Sequence, residues 1–356
     1  MKMIVRRTAL AVCILVLALI LPTAASAACT GFDDVPETAG CYESVMYLAE
    51  HEITQGTGKG CFSPDAPVTV RQWAMMLCRA YDVKVEGSSW SDLSQSAVEQ
   101  SYWKGWLNET ALSAPRSPMC RSVLVESAFA AADVPVYDST LYEGGASLST
   151  ADNILRVGRE LGLCSDDADT NALVTRGDAA IILHVVLTQS FRIEEPPVPV
   201  TLVNAAGVNV NDFLLELRKL PEQVLDAFNA AGWTYCIDFD YMGGLSKKLN
   251  MSCIGATNYS RKTIYLSEAS ATLHEFGHFL DWMLGFPAEH EQLFRAEAAA
   301  APLRNYAKTN AREYFADCFA YWVKYAENAN AISLLQECAP MTYRYMEDLM
   351  RIANRL

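Results

Sequence analysis

"ATLHEFGHFLDWMLG", residues 271–285, decides how the C-terminal half of this chain is read. His274 and His278 stand at i and i+4, a spacing that puts both imidazoles on one face of a helix, within reach of a single metal ion. Glu275 follows the first histidine and is placed to take a proton from an attacking water. Leu273, Phe276 and Leu280 supply an apolar stripe. Ser270 and Thr272 are candidate caps for the helix start, and Gly285, Phe286 and Pro287 end it. A helix that merely carries two hydrogen-bonded histidines shows the same five residues, so the rest of the chain has to discriminate.

A catalytic zinc site takes three protein ligands and a water. Downstream of His278 the donors are Asp281, Glu289, His290, Glu291, Glu297, Glu313 and Asp317. Asp281 is too near on the same face to complete a tetrahedron. The metzincin pattern HExxHxxGxxH fails, because Asp281 and Leu284 occupy its glycine and third-histidine places. His290 lies in "AEHEQ", which reads as a solvated helix face. Glu313 opens "EYFADCFAYW", a strongly apolar helix, and a carboxylate there needs a partner. Asp317 is one turn further on the same face. One of the two carboxylates can bind metal while the other orients a ligating histidine.

"HEFGH", then "EYFADCFAYW" (313–322), then "CAPMTYRYMEDLM" (338–350) resembles the anthrax-lethal-factor-like metallopeptidase domain, and within it the secreted Pro-Pro endopeptidase branch. The similarity runs over about residues 200–354. It implies an α+β zincin-like domain of the gluzincin type, with Zn2+ held by His274, His278 and Glu313. It further implies Glu275 as general base, Asp317 behind a ligating histidine, and Tyr306, seven residues before Glu313, aimed at the oxyanion. The Pro-Pro branch carries a long tryptophan-bearing insertion before HExxH. Here that interval, residues 243–261, is short and has no tryptophan, so selectivity for proline does not follow from the resemblance.

The rest of the 356-residue chain frames this domain. Lys2, Arg6 and Arg7, an apolar run over 9–21 and Ala25-Ser26-Ala27 read as a signal peptide over residues 1–27. No later segment has 18 uninterrupted apolar residues, so no transmembrane segment is expected. Removing three basic residues takes the net charge from −14 to −17, which excludes nucleic acid as a general partner. Of 11 cysteines, ten remain after the signal, and an even count in an exported chain predicts disulfides, Cys236–Cys253 and Cys318–Cys338 in the C-terminal half.

Internal repetition organises the N-terminal half. Residues 32–83 run from an Asp-rich start through a helix, a glycine-rich turn and Phe62-Ser63-Pro64 to a second helix capped by Thr69. Weaker copies follow at 90–134 and 154–187, the last with "LVTRGDAAIILHVVL". The plan resembles the S-layer homology repeat, "GIxxGxxxGxFxPxxxVTRAExAxxLxR". The predicted organisation is therefore multidomain: mainly α repeats at 28–85, 86–137 and 138–190, a Pro-rich linker at 191–201 ("RIEEPPVPV" at its centre), and the peptidase domain at 202–356. The resemblance implies that the repeats hold secondary cell-wall polymer, with Arg121 and Arg176 at the signature arginine positions and Val70 in that place in the first copy.

The expectation is a secreted zinc endopeptidase anchored to a bacterial cell wall and acting on protein or peptide substrates. A cell-wall-binding protein with an inactive peptidase-like domain, and a zinc peptidase acting on peptidoglycan cross-links, are the competing readings.

Overall fold

Three short extended segments, residues 67–69, 118–120 and 173–175, meet at the centre of the N-terminal half of the computed structural model, which describes residues 31–353. Val68 N–H donates to the Val174 carbonyl, Val174 N–H to that of Met119, and Met119 N–H to that of Val68, each within 2.9–3.0 Å. A second ring of bonds lies just outside: Val70 to Ser117, Arg121 to Ala172 and Arg176 to Ala66. Each segment runs directly into a helix, α2 (Val70–Ala80), α5 (Arg121–Ala131) and α7 (Arg176–Thr188). The equivalent positions Val70, Arg121 and Arg176 thus open three equivalent helices. The cyclic closure gives each repeat's backbone a partner that it cannot supply itself.

The first helices of the copies are α1 (Tyr42–Glu50), α3 (Trp90–Trp103, followed by the short α4, Glu109–Ser113) and α6 (Thr150–Glu160). Local chemistry sets their starts. Thr69 and Gln72 form a capping box, and the Ser89, Ser149 and Thr175 hydroxyls each accept from the backbone three residues on. Apolar faces close a core around Val45, Trp73, Leu77, Leu124, Phe129 and Leu183. Among the described residues no helix is long and apolar enough to cross a membrane. The signal-peptide reading lies outside the described residues.

The C-terminal half is helix-rich with one small sheet, as expected. The strands are β1 (Leu202–Asn204), β2 (Thr234–Ile237), β3 (Gly255–Asn258) and β4 (Thr263–Leu266), in spatial order β1-β2-β4-β3. The first three in that order are parallel, and β3 is an antiparallel edge. Between β1 and β2 run α8 (Asn211–Leu217) and α9 (Glu222–Ala230), and α10 (Phe239–Leu249) follows β2. The site helix is α11 (Thr272–Met283), then come α12 (Ala288–Glu297), α13 (Ala311–Lys324), α14 (Ala329–Cys338) and α15 (Pro340–Ala353).

Four local expectations are corrected. The alternating run 234–242 predicts one strand, but β2 ends at Ile237. Asp238 then caps α10, its carboxylate accepting from Tyr241 N–H at 2.8 Å. Neither Ser270 nor Thr272 caps α11; Thr272 is buried and its hydroxyl is bonded to that of Tyr235 at 2.6 Å. His290 is not solvated. It is 4 % exposed, donates from Nδ1 to Asp281 Oδ1 at 2.7 Å, meets the Tyr345 hydroxyl at 2.8 Å and stacks on Phe315. Finally, no disulfide forms among the described cysteines. Cys318 faces the core beside Tyr314, and the Cys253 thiol turns to the Met251 carbonyl, so neither Cys318–Cys338 nor Cys236–Cys253 is made.

The second core gathers around Phe228, Trp233, Phe276, Phe279 and Phe319. It also takes in Tyr137 and Leu141, from the stretch between α5 and α6, and Asp138 N–H donates to Asn211 Oδ1 at 2.6 Å. In the proline-rich segment Pro196 and Val200 are buried and Pro197 to Pro199 are exposed.

Candidate metal centre

α11 and α13 pack face to face, and Gly277 is why they can come so close. A Cβ there would stand 2.6 Å from Ala316 Cα and 2.8 Å from its carbonyl oxygen, both backbone atoms of α13. The approach brings Glu313 and Asp317 of α13 against His274 and His278 of α11. His274 Nε2 lies 3.1 Å from His278 Nε2 and 3.0 Å from Glu313 Oε2, and His278 Nε2 lies 3.3 Å from that same oxygen.

This triangle is the arrangement expected of metal ligands. Donors about 2.0–2.1 Å from a tetrahedral ion stand about 3.3 Å from one another. The His274 Nδ1 proton is committed to Asp317 Oδ1 at 2.6 Å, which leaves Nε2 a lone pair. That lone pair faces a second imidazole and a carboxylate, an arrangement that repels unless a cation sits between them. Consistent with this, Glu313 Oε2 is buried without a hydrogen-bond partner. Burial pulls the His274 imidazolium down, yet the facing Asp317 and Glu313 carboxylates outweigh it and push His274 up to about 9, so with no metal in the triangle Nε2 holds a proton that a metal ion would displace. Against the same cost of burial, the two histidines hold Glu313 well below the usual carboxylate range. The pocket is built for positive charge, and its two imidazoles, one carboxylate and open fourth side suit a divalent transition metal.

Around the triangle stand residues that the sequence did not reveal. Arg304, in the loop before α13, forks onto Asp317 with Nε to Oδ2 at 2.6 Å and Nη2 to Oδ1 at 2.7 Å. Its guanidinium also lies over the Tyr306 ring at 5.2 Å. Thr257 of β3 donates to Glu275 Oε2 at 2.7 Å. Gly255, two residues earlier, lets the edge strand approach: a Cβ there would be 2.6 Å from Glu275 Oε1. Arg304 lies outside every motif, and β3 is four residues long with no strong alternation, so neither left a local signal.

Glu275 is buried, and burial holds its carboxyl above the usual carboxylate range. Tyr306 is 42 % exposed, its ring 6.1 Å from that of His274 and its hydroxyl bonded to Glu313. Burial and that carboxylate push its phenol up to about 12, so it keeps its proton. A cleft runs through the centre: one arm extends past His278 toward Phe286 and Arg312, the other past Ala271 toward Arg304 and Tyr321. Both are walled by Met251, Cys253 and Gly255.

The expected polymer-binding arginines lie in the other half, apart from this centre. Arg176 is 4 % exposed, donates from Nε to the Phe62 carbonyl at 2.7 Å and stacks on the Phe62 ring at 4.5 Å. Asp34 holds the same loop, accepting from Phe62 and Ser63 N–H at 2.7 Å each. Arg121 is partly exposed, 3.6 Å from Asp178.

The family model described as anthrax toxin lethal factor, N- and C-terminal domain, matches residues 233–349. The S-layer homology domain model matches residues 31–69, inside the first repeat. The chain thus carries an S-layer homology domain followed by a lethal-factor-like domain, in the order that the sequence motifs placed them. A search of curated proteins finds no match.

Proposed function

We propose that this chain is a zinc endopeptidase displayed on a bacterial cell wall, with its lethal-factor-like half as the peptidase and its repeats as the anchor. The observation that carries the reading is the convergence of His274 Nε2, His278 Nε2 and Glu313 Oε2 beside a buried Glu275 carboxylate. A cleft open on both sides of that centre favours cutting within a chain over trimming its ends.

Zinc held by His274, His278 and Glu313 would polarise the scissile carbonyl and acidify the attacking water. Glu275, made more basic by burial and steadied by the Thr257 hydroxyl, takes that proton and returns it to the leaving amine. Tyr306, protonated at any ordinary pH, donates to the developing oxyanion. Asp317, clamped by Arg304, fixes the His274 ring and its tautomer. The substrates on this reading are exposed, extended segments of surface proteins.

Glu275→Gln separates the roles. The purified variant should bind about one zinc per chain, like the wild type, while losing cleavage of a peptide library by at least about 100-fold, as for loss of a general base. A zinc-free wild-type protein, or a variant of full activity, would overturn the assignment. Cleavage of purified muropeptides in place of peptides would favour the cross-link reading, and metal binding without any cleavage would favour an inactive domain. For the anchor, the full chain should sediment with purified cell walls and Arg121→Ala should weaken this. A chain that stays in the supernatant makes the repeats a spacer.

A further inference from the structure

The arm of the cleft beyond His278 holds an arginine with nothing to bind. Just beyond the end of α11, Gly285 and Phe286 are both left-handed, with φ of +75° and +55°. For a bulky side chain that conformation is strained, and its effect is to stand the Phe286 ring up at the cleft wall, 36 % exposed and edge-on to Tyr259 at 5.4 Å. Across this pair lies the guanidinium of Arg312, 4.3 Å from the Phe286 ring and 5.9 Å from Tyr259. Stacking immobilises the guanidinium plane and leaves its in-plane N–H donors free to point outward.

The carboxylates that line this arm are all engaged elsewhere. Glu313 faces the two histidines, Glu275 accepts from Thr257, Asp281 accepts from His290, and Glu291 pairs with Arg295. Among the described residues Arg312 has no ion-pair partner, and it is the one Lys or Arg lining the arm. It directly precedes Glu313 in the chain, so a group bound to it lies within a few residues of the bond being cut.

Resting on the peptidase reading above, we infer that this arm selects a substrate carboxylate and that Arg312 is the residue that reads it. A pre-stacked fork matches the two oxygens of a carboxylate, and in so acidic a protein a cation held in this arm gives an acidic peptide a reason to dock there. The carboxylate is either an Asp or Glu side chain near the scissile bond or the free C-terminus of a short peptide.

The test uses the full-length zinc-loaded protein and a peptide library with all residue types around a central bond. Cleaved sequences should be enriched in Asp or Glu at one fixed position if a side chain is read. If a terminus is read, cleavage should fall near free C-terminal acids and fail on their amides. Arg312→Ala should raise KM for the preferred peptide about tenfold with kcat kept, the size of one charge-assisted pair. Arg312→Glu should turn the preference toward Lys and Arg, and Arg312→Lys should keep part of it. As a readout apart from turnover, fluorescent acidic peptides should bind Glu275→Gln more tightly than their neutral amides, and the gap should vanish when Arg312→Ala is added. A library cleaved with no acidic preference and no change in Arg312→Ala overturns the inference and leaves the peptidase standing. A library not cleaved at all overturns both.

Discussion

At His274 one imidazole serves two masters. Asp317 takes its Nδ1 proton, and the Nε2 lone pair this leaves is aimed into the ligand triangle. Asp317 can do so from a site only 5 % exposed because Arg304 neutralises it with a two-pronged bond, and the histidine and arginine bonds hold its carboxyl below the ordinary range against the cost of burial. The expected result for Asp317→Ala is a 10–100-fold loss of zinc affinity, measured by competition with a chelator, as is typical when the partner of a ligating histidine is removed. Unchanged affinity would reduce the Asp317–Arg304 pair to a structural bridge. Asp317 was legible because it sits one turn beyond Glu313 on an apolar helix. Arg304 was not, since nothing around it in sequence distinguishes it from a surface arginine.

The element that makes the site is the close pair α11 and α13, and its weak point is Gly277. Alanine there has no room: its Cβ would meet the α13 backbone at 2.6 Å, and backbone cannot rotate out of the way. Gly277→Ala should therefore cost about 1–3 kcal/mol of stability as overpacking does, and also push Glu313 away from the histidines. Thermal unfolding together with zinc stoichiometry checks this; a variant that keeps both its Tm and its zinc would show that the helices can part freely. The same scale explains where reading strands went astray. The alternation over 234–242 continues past Ile237, but Asp238 offers its carboxylate to Tyr241 N–H and starts a helix. β1 and β3, three and four residues long, are held by their neighbours in the sheet rather than by their own pattern.

Across the whole molecule, the two cores are joined by more than the proline-rich segment. Tyr137 and Leu141 belong by sequence to the repeat half and by packing to the lethal-factor-like half. Asn209 Nδ2 reaches the Val136 carbonyl at 3.4 Å, and the Tyr142 hydroxyl donates to the Glu194 carbonyl at 2.7 Å. This strap predicts that the halves do not move as beads on a string. Tyr137→Ala in the full chain should lower the unfolding temperature of the lethal-factor-like half, at a cost of about 2–4 kcal/mol for a large buried aromatic. If only the repeats were destabilised, the strap would be a passive contact.

Sequence by itself determined whatever has a local cause. The i, i+4 histidines and the glutamate between them, the Glu313 and Asp317 pair and the Thr69 cap of the first repeat follow from spacing along one helix or turn, and the two-part order from the succession of local motifs. Tertiary structure decided whatever depends on partners far apart in the chain. His290 sits in a charged stretch and is buried because Asp281, nine residues away, and Tyr345, fifty-five away, satisfy both ring nitrogens. Arg176, a signature arginine, is turned inward by a carbonyl 114 residues away. Burying a polar group is tolerable only when its hydrogen bonds are met. Which residues meet them is settled by the packing of whole elements, and no local pattern encodes that.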